Sequence, residues 1–197
     1  MIISPDHEAI LGFVTDGASV LDLGCGNGNL LSFLIQRRNV KAQGIEIDDK
    51  SILECVAKGL NVFHDDIDTG LPEYEDKSFD FVILNQSIQQ VRQPETVLQE
   101  ALRVGKKIIV GLPNFAYINA RMQIFFRGRV PVTPSLPYEW YNTPNLHFLS
   151  LADFLDYCRK KEITIGGAYY INGSGRIRLL PNLFAQIGLF LLWQRSR

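Results

Sequence analysis

Apolar positions along this chain alternate between short continuous runs and stripes of helical spacing, in the order of a repeating strand and helix. Ile10, Leu11 and Val14 form a first stripe, which opens at Ser4-Pro5-Asp6 with a serine cap and a proline in the first turn and extends toward Asp16-Gly17. Val20-Leu21-Asp22-Leu23 reads as the end of a buried strand, and residues 29–38 as a helix closed by Arg37-Arg38-Asn39. A strand over 40–47 and a helix over 49–58 follow, the helix capped by Asp48 and ended by Lys58-Gly59. Residues 60–67 form a third strand, and the unbroken run Phe81-Val82-Ile83-Leu84 suits a fourth, buried on both faces. The pattern continues with a helix over 94–104 and a strand over 108–112. After a less regular region come a helix from Leu151 to about Lys161, capped by Ser150 with Asp153 at its third position, and strands over 163–170 and 185–193. A hairpin connection starting at Asn172-Gly173-Ser174-Gly175 leads toward that last strand. The expectation is one α/β domain over 1–197, doubly wound and Rossmann-like, with an insertion at about 115–150.

Between the first strand and its helix stand Gly24, Gly26 and Gly28, a turn that side chains would obstruct, aimed at the orphan N–H groups of the following helix. A dinucleotide fingerprint needs a third glycine where Asn29 stands, and no Gly-Lys-Ser or Gly-Lys-Thr follows to make a P-loop. What remains, Asp22-x-Gly24-Cys25-Gly26-x-Gly28, resembles the first motif of class I S-adenosylmethionine (SAM)-dependent methyltransferases, where the loop meets an amino-acid carboxylate and a sulfonium. A tight turn without a ligand is the competing reading of the glycines alone. Glu46, with Ile47 behind it, ends the second strand roughly 20 residues after Gly24, where a nucleotide site of this kind places a carboxylate on the ribose hydroxyls. At the end of the third strand the Asp66 carboxylate can accept from the exocyclic amine of adenine, while the Ile67 N–H meets a ring nitrogen. Asn85, leaving the fourth strand beside the first loop, faces the methionyl part or merely begins the next helix. His64 is read as a rim residue, because histidine chemistry needs a partner and none is near it in sequence.

Composition narrows the setting. With 46% hydrophobic and 21% charged residues and a formal net charge of −1, the 197-residue chain has the make-up of a soluble globular protein without general attraction to nucleic acid or anionic membrane. Cys25, Cys55 and Cys158 are far apart, odd in number and without a Cys-x-x-Cys pair, which argues against a disulfide framework and a zinc site. The first residues carry no basic segment followed by an apolar core, and the run 187–193 is far shorter than the ~20 residues that cross a bilayer. A cytoplasmic protein is expected, with no metal, nucleic-acid or membrane partner.

In 115–150 a helix reaches Phe126, after which Pro131, Pro134, Pro137 and Pro144 exclude a long regular element and Tyr138, Trp140 and Tyr141 exclude a freely solvated linker. A lid over the pocket, a surface for a protein partner and internal packing against the sheet rim all fit; His147 belongs to the packing.

Taken together, Val20–Gly28, Gly44–Asp48, Phe81–Leu84 with Gln89-Gln90, Leu112–Phe115 and above all Arg127–Thr133 with Leu136–Asn145 resemble the MetW family of methionine biosynthesis proteins, within the class I SAM methyltransferases. The resemblance implies a seven-stranded, mostly parallel sheet with an antiparallel last strand. It implies SAM or S-adenosylhomocysteine at Asp22, Gly24, Cys25, Gly26, Gly28, Glu46, Ile47, Asp66, Ile67 and Asn85. It further implies action beside homoserine O-acyltransferase, with residues 127–145 as the contact surface. The alternative is an active methyltransferase on an unidentified small molecule. No catalytic residue follows, since methyl transfer can be achieved by holding a nucleophile in line with the sulfonium. Gln90, where a histidine often follows the fourth strand, and the short N-terminal segment favour the binding role.

Overall fold

The computed structural model describes residues 4–173 and 175–194. Residues 1–3, at the start of the segment argued not to be an export signal, lie outside the described residues, as does Ser174 of the expected hairpin turn.

The elements run α1 (Pro5–Leu11), β1 (Ser19–Leu23), α2 (Asn29–Arg38), β2 (Lys41–Glu46), α3 (Asp49–Ala57), β3 (Val62–His64), a 3-10 turn (Ile67–Thr69), β4 (Phe79–Asn85), α4 (Pro94–Val104), β5 (Gly105–Pro113), α5 (Ile118–Arg127), α6 (Leu151–Lys160), β6 (Ile163–Asn172), β7 (Gly175–Arg176), α7 (Pro181–Phe184) and β8 (Ile187–Gln194). They build one eight-stranded sheet in the order β3-β2-β1-β4-β5-β8-β6-β7. Neighbours from β3 through β5 are parallel; β8 runs antiparallel between β5 and β6. The strand beyond the expected seven is β7, a two-residue edge paired with the end of β6.

Strand β4 shows why its sequence is an unbroken apolar run. Phe81 and Ile83 join a cluster with Ile10 and Val14 below α1 and Leu30 and Leu34 of α2, whereas Val82 and Leu84 join a cluster with Val97, Leu98 and Leu102 of α4 and Phe154 of α6. Alternate side chains point to opposite faces, so a strand covered by helices on both has no place for a polar residue.

Several elements differ from the expected lengths for local reasons. Helix α1 stops at Leu11, because Gly12 follows and the chain tightens into a Phe13 N–H to Ile10 carbonyl bond, although Val14 still reaches the core. Strand β3 ends at His64, because the Asp66 carboxylate accepts the Asp68 N–H at 2.9 Å and caps the turn that Ile67 begins. Between Gly128 and Ser150 there is no helix or strand, only an isolated bridge between Thr133 and Leu136. The segment is nonetheless tied down: the Leu146 and His147 N–H groups donate to the Gln89 carbonyl at 2.9 and 3.0 Å. No helix among the described residues is long and apolar enough to cross a membrane.

Candidate ligand site at the ends of the parallel strands

The glycine loop leaves β1 with Gly24, Gly26 and Gly28 all at positive φ (75°, 53° and 73°), a backbone path that L side chains resist. It is pinned to the neighbouring strand, since the Gly24 and Cys25 N–H groups both donate to the Ile45 carbonyl, at 2.9 and 3.1 Å. Glu46, the next residue, completes the brace. Its Oε2 accepts the Gly26 N–H at 2.7 Å, and its Oε1 accepts the N–H groups of Ile47 and Asp48 at 2.9 and 3.0 Å. From the far side Lys58 donates to Asn29 Oδ1 at 2.8 Å and to the Asn27 carbonyl.

Seven of the expected residues, Gly24, Gly26, Glu46, Ile47, Asp66, Ile67 and Asn85, line one cavity of about 620 Å³. Asp22 and Cys25 lie on the other side of the loop, where with Gly24, Gly26, His7 and Asn85 they border a smaller cavity of about 240 Å³. Gly28 borders neither. A Cβ there would stand 2.3 Å from Leu60 Cδ1 and 2.8 Å from Cys55 Sγ, so its part is to let the start of α2 pass close to Cys55 of α3 and Leu60 behind it. At Gly26, in contrast, a Cβ would meet nothing within 4 Å.

Asn85, which lines both cavities, also has a structural duty. Its Nδ2 donates to Asp6 Oδ2 at 2.8 Å, and its Oδ1 lies so close to Gly111 that a Cβ there would be 2.4 Å away. Its Nδ2 therefore ties β4 to α1, while its buried Oδ1 has no hydrogen-bond partner among the described residues. Asp6 is buried, which by itself raises its pKa; hydrogen bonds from Ser4, Asn85 and Gln86 and the neighbouring His7 outweigh that and hold the carboxyl below its usual range. Asp22 is buried too, but its Oδ1 has no hydrogen-bond partner among the described residues. Burial first, and the charge of Glu46 second, push its pKa up to about 7.

Sequence reasoning missed four contributors. Asp68 accepts the Arg92 N–H with both oxygens at 2.9 Å and the Gln93 N–H at 3.0 Å, tying the turn after β3 to the start of α4. Pro144 and Leu146 reach the cavity rim from the proline-rich segment, while Asp6 anchors the opposite side. The two rim contacts depend on pairings across more than fifty residues, such as Leu146 with Gln89, which no local pattern announces.

Comparisons with known proteins agree with this architecture. In solved structures the fold matches a chain of the complex between the Haloferax volcanii Trm112 methyltransferase activator and a methyltransferase, with a TM-score of 0.72, 16% identity and coverage of 98% of this chain and 90% of that one. It also matches a SAM-dependent methyltransferase from Thermotoga maritima, with a TM-score of 0.67, 19% identity and coverage of 96% and 87%. At such identities the likeness is one of fold. Over 172 residues, 83% of the chain, the sequence is 37% identical to the bifunctional methionine biosynthesis protein MetXA/MetW of Rhodopirellula baltica, spanning 28% of that protein's length. The family model described as methionine biosynthesis protein MetW matches residues 4–192, and the chain belongs to the MetW family.

Proposed function

We propose that the larger cavity binds SAM or S-adenosylhomocysteine and that the chain serves methionine biosynthesis in association with homoserine O-acyltransferase. The observation that carries the ligand is the bond from Gly26 N–H to Glu46. A carboxylate occupies the loop donor that a pyrophosphate would need, and Glu46, Asp65, Asp66 and Asp68 face the same cavity with Arg92 as its one lining cation. Such a rim repels phosphates and suits a ligand that is neutral at the ribose and cationic at the sulfonium. The open space over Gly26 and a volume within the range of cofactor pockets fit that ligand. Glu46 would take the ribose hydroxyls, Asp66 and the Ile67 N–H the adenine, and Gly24 and Gly26 the amino-acid part.

Glu46→Ala is expected to weaken SAM binding at least tenfold, roughly 1.5–3 kcal/mol, because it removes the ribose acceptor and also releases the loop N–H groups it orders. Isothermal calorimetry is the measurement. Equal affinity in wild type and variant, or a preference for NAD, rejects the assignment.

The partnership is supported by the relative in which MetXA and MetW share one chain and by the exposure of Trp140, 72% accessible beside an equally open Tyr141. Neither aromatic lines the cavity, where the covering residues are Pro144 and Leu146. A lid role therefore falls to 144–146 and a docking role to 138–141. Trp140→Ala and Tyr138→Ala should weaken binding to purified homoserine O-acyltransferase by about 2 kcal/mol or more with SAM affinity unchanged. Methyl transfer to a small acceptor without any partner, lost in Trp140→Ala, is the result that would reverse this reading in favour of an enzyme.

A further inference from the structure

Helix α5 turns its apolar side outward. Ala120 is its one buried residue, while Phe125 is 80% and Phe126 67% exposed and Met122 lies open beside them. The spacing of Met122, Phe125 and Phe126 puts all three on one helical face, away from the sheet. Between this face and the returning chain runs a groove of about 500 Å³, lined by Asn119, Met122, Gln123, Phe126, Arg127 and Val132. Its two walls are fastened to each other by Gln123, whose Nε2 donates to the Val132 carbonyl at 2.9 Å and whose Oε1 accepts the Val132 N–H at 3.2 Å.

The groove has a charged frame. Arg127 lines it and Arg129 follows two residues on, both exposed, and in 115–150 the only acid is Glu139, on a chain whose formal net charge is −1. Among the described residues Arg127 and Arg129 make no ion pair. Met122, Phe126 and Val132 form an apolar strip among Asn119, Gln123 and Arg127, and such a strip beside free arginines calls for an apolar insert flanked by acids. A second copy of this chain fits poorly, because a two-fold interface would set the arginines of one rim against those of the other. A bilayer fits poorly as well, because the apolar surface is a walled groove and the fastened segment stands beside it.

We propose that the groove between α5 and Val132 is the centre of the docking surface for homoserine O-acyltransferase, receiving an apolar segment of that enzyme flanked by Asp or Glu. This rests on the partnership proposed above and extends the docking surface from the 138–141 aromatics to α5. The rim charges make the association salt-dependent, and the apolar floor sets its lifetime.

The test is the affinity of the full chain for purified homoserine O-acyltransferase at two ionic strengths, with S-adenosylhomocysteine binding as the check on folding. Phe126→Asp is expected to lose at least 30-fold, and Met122→Lys, a second and independent floor variant, at least tenfold. The double variant Arg127→Glu, Arg129→Glu should lose about tenfold and most of its salt dependence, and all should keep S-adenosylhomocysteine affinity within twofold. If wild type binds the acyltransferase and the floor variants bind it equally, the groove assignment is overturned and the partnership stands. If wild type does not bind it, the partnership falls and the assignment with it. Dimerisation of the chain alone, or sedimentation with phosphatidylserine vesicles, abolished by Phe126→Asp, would overturn the assignment in favour of a second copy or a membrane.

Discussion

Gly26→Val is expected to abolish SAM binding and leave the protein folded, whereas Gly28→Val, two residues along the same loop, should damage the fold itself. Both positions have positive φ, so each variant carries backbone strain of about 1–2 kcal/mol. At Gly26 little else is added, because the new Cβ points into open space, and that cost is small against a domain stability of roughly 5–15 kcal/mol. The space is the floor of the cavity, however, and the valine methyl groups fill it. At Gly28 the Cβ runs into Leu60 at 2.3 Å and Cys55 at 2.8 Å, adding an overpacking cost of about 1–3 kcal/mol. Thermal melts should therefore show Gly28→Val lower than wild type by roughly 5–15 °C and Gly26→Val by a few degrees. Calorimetry with SAM should show no binding to Gly26→Val. A Gly26→Val protein that binds SAM normally would remove the loop from the site, and a Gly28→Val protein as stable as wild type would contradict the close approach of Gly28 to Cys55 and Leu60.

The contrast also shows what the sequence made legible. Spacing alone located the loop, the carboxylate at the end of β2 and helix α2 with its boundaries, because strand, turn and cap chemistry act within a few residues of each other. Spacing could not divide the three glycines into the two that line the cavity and the one packed against Cys55 and Leu60, since that depends on where those residues fold back. The same limit explains Asn85, whose amide is claimed by Asp6 from the start of the chain. It explains β3 only partly: the Asp66-x-Asp68 turn that shortens it is a local motif, yet the apolar run before it reads as a longer strand. Helix α5 is the clearest case. Its periodicity says that an apolar face exists and is silent on whether that face meets the sheet or the solvent.

Asp22→Asn is expected to stabilise the protein at pH 8 and to do almost nothing at pH 4. Burial, with the Glu46 charge added, moves the folded-state pKa of Asp22 from 3.8 to about 7, while an unfolded chain keeps the ordinary value. Between those two values the folded protein holds a proton that the unfolded chain has released. Stability from this group is therefore fully present below about pH 4, falls by at most about 1.4 kcal/mol per pH unit, and is lost above about pH 7. The accumulated cost at pH 8 is about 4 kcal/mol at most, and asparagine, neutral and of the same shape, does not incur it. Denaturant titrations of both proteins from pH 4 to pH 8.5 should diverge steadily across that window; parallel curves would show that Asp22 ionises normally. A side chain that destabilises its own fold at neutral pH needs another reason to be there. If the bound ligand brings a positive charge close to Asp22, the carboxylate becomes an asset in the complex, SAM affinity rises with pH through 7 and binding releases a proton. Asp22→Asn then stabilises the free protein and weakens the complex at the same pH, and a variant that gains stability while binding SAM as tightly as wild type at pH 8 would take Asp22 out of the ligand site.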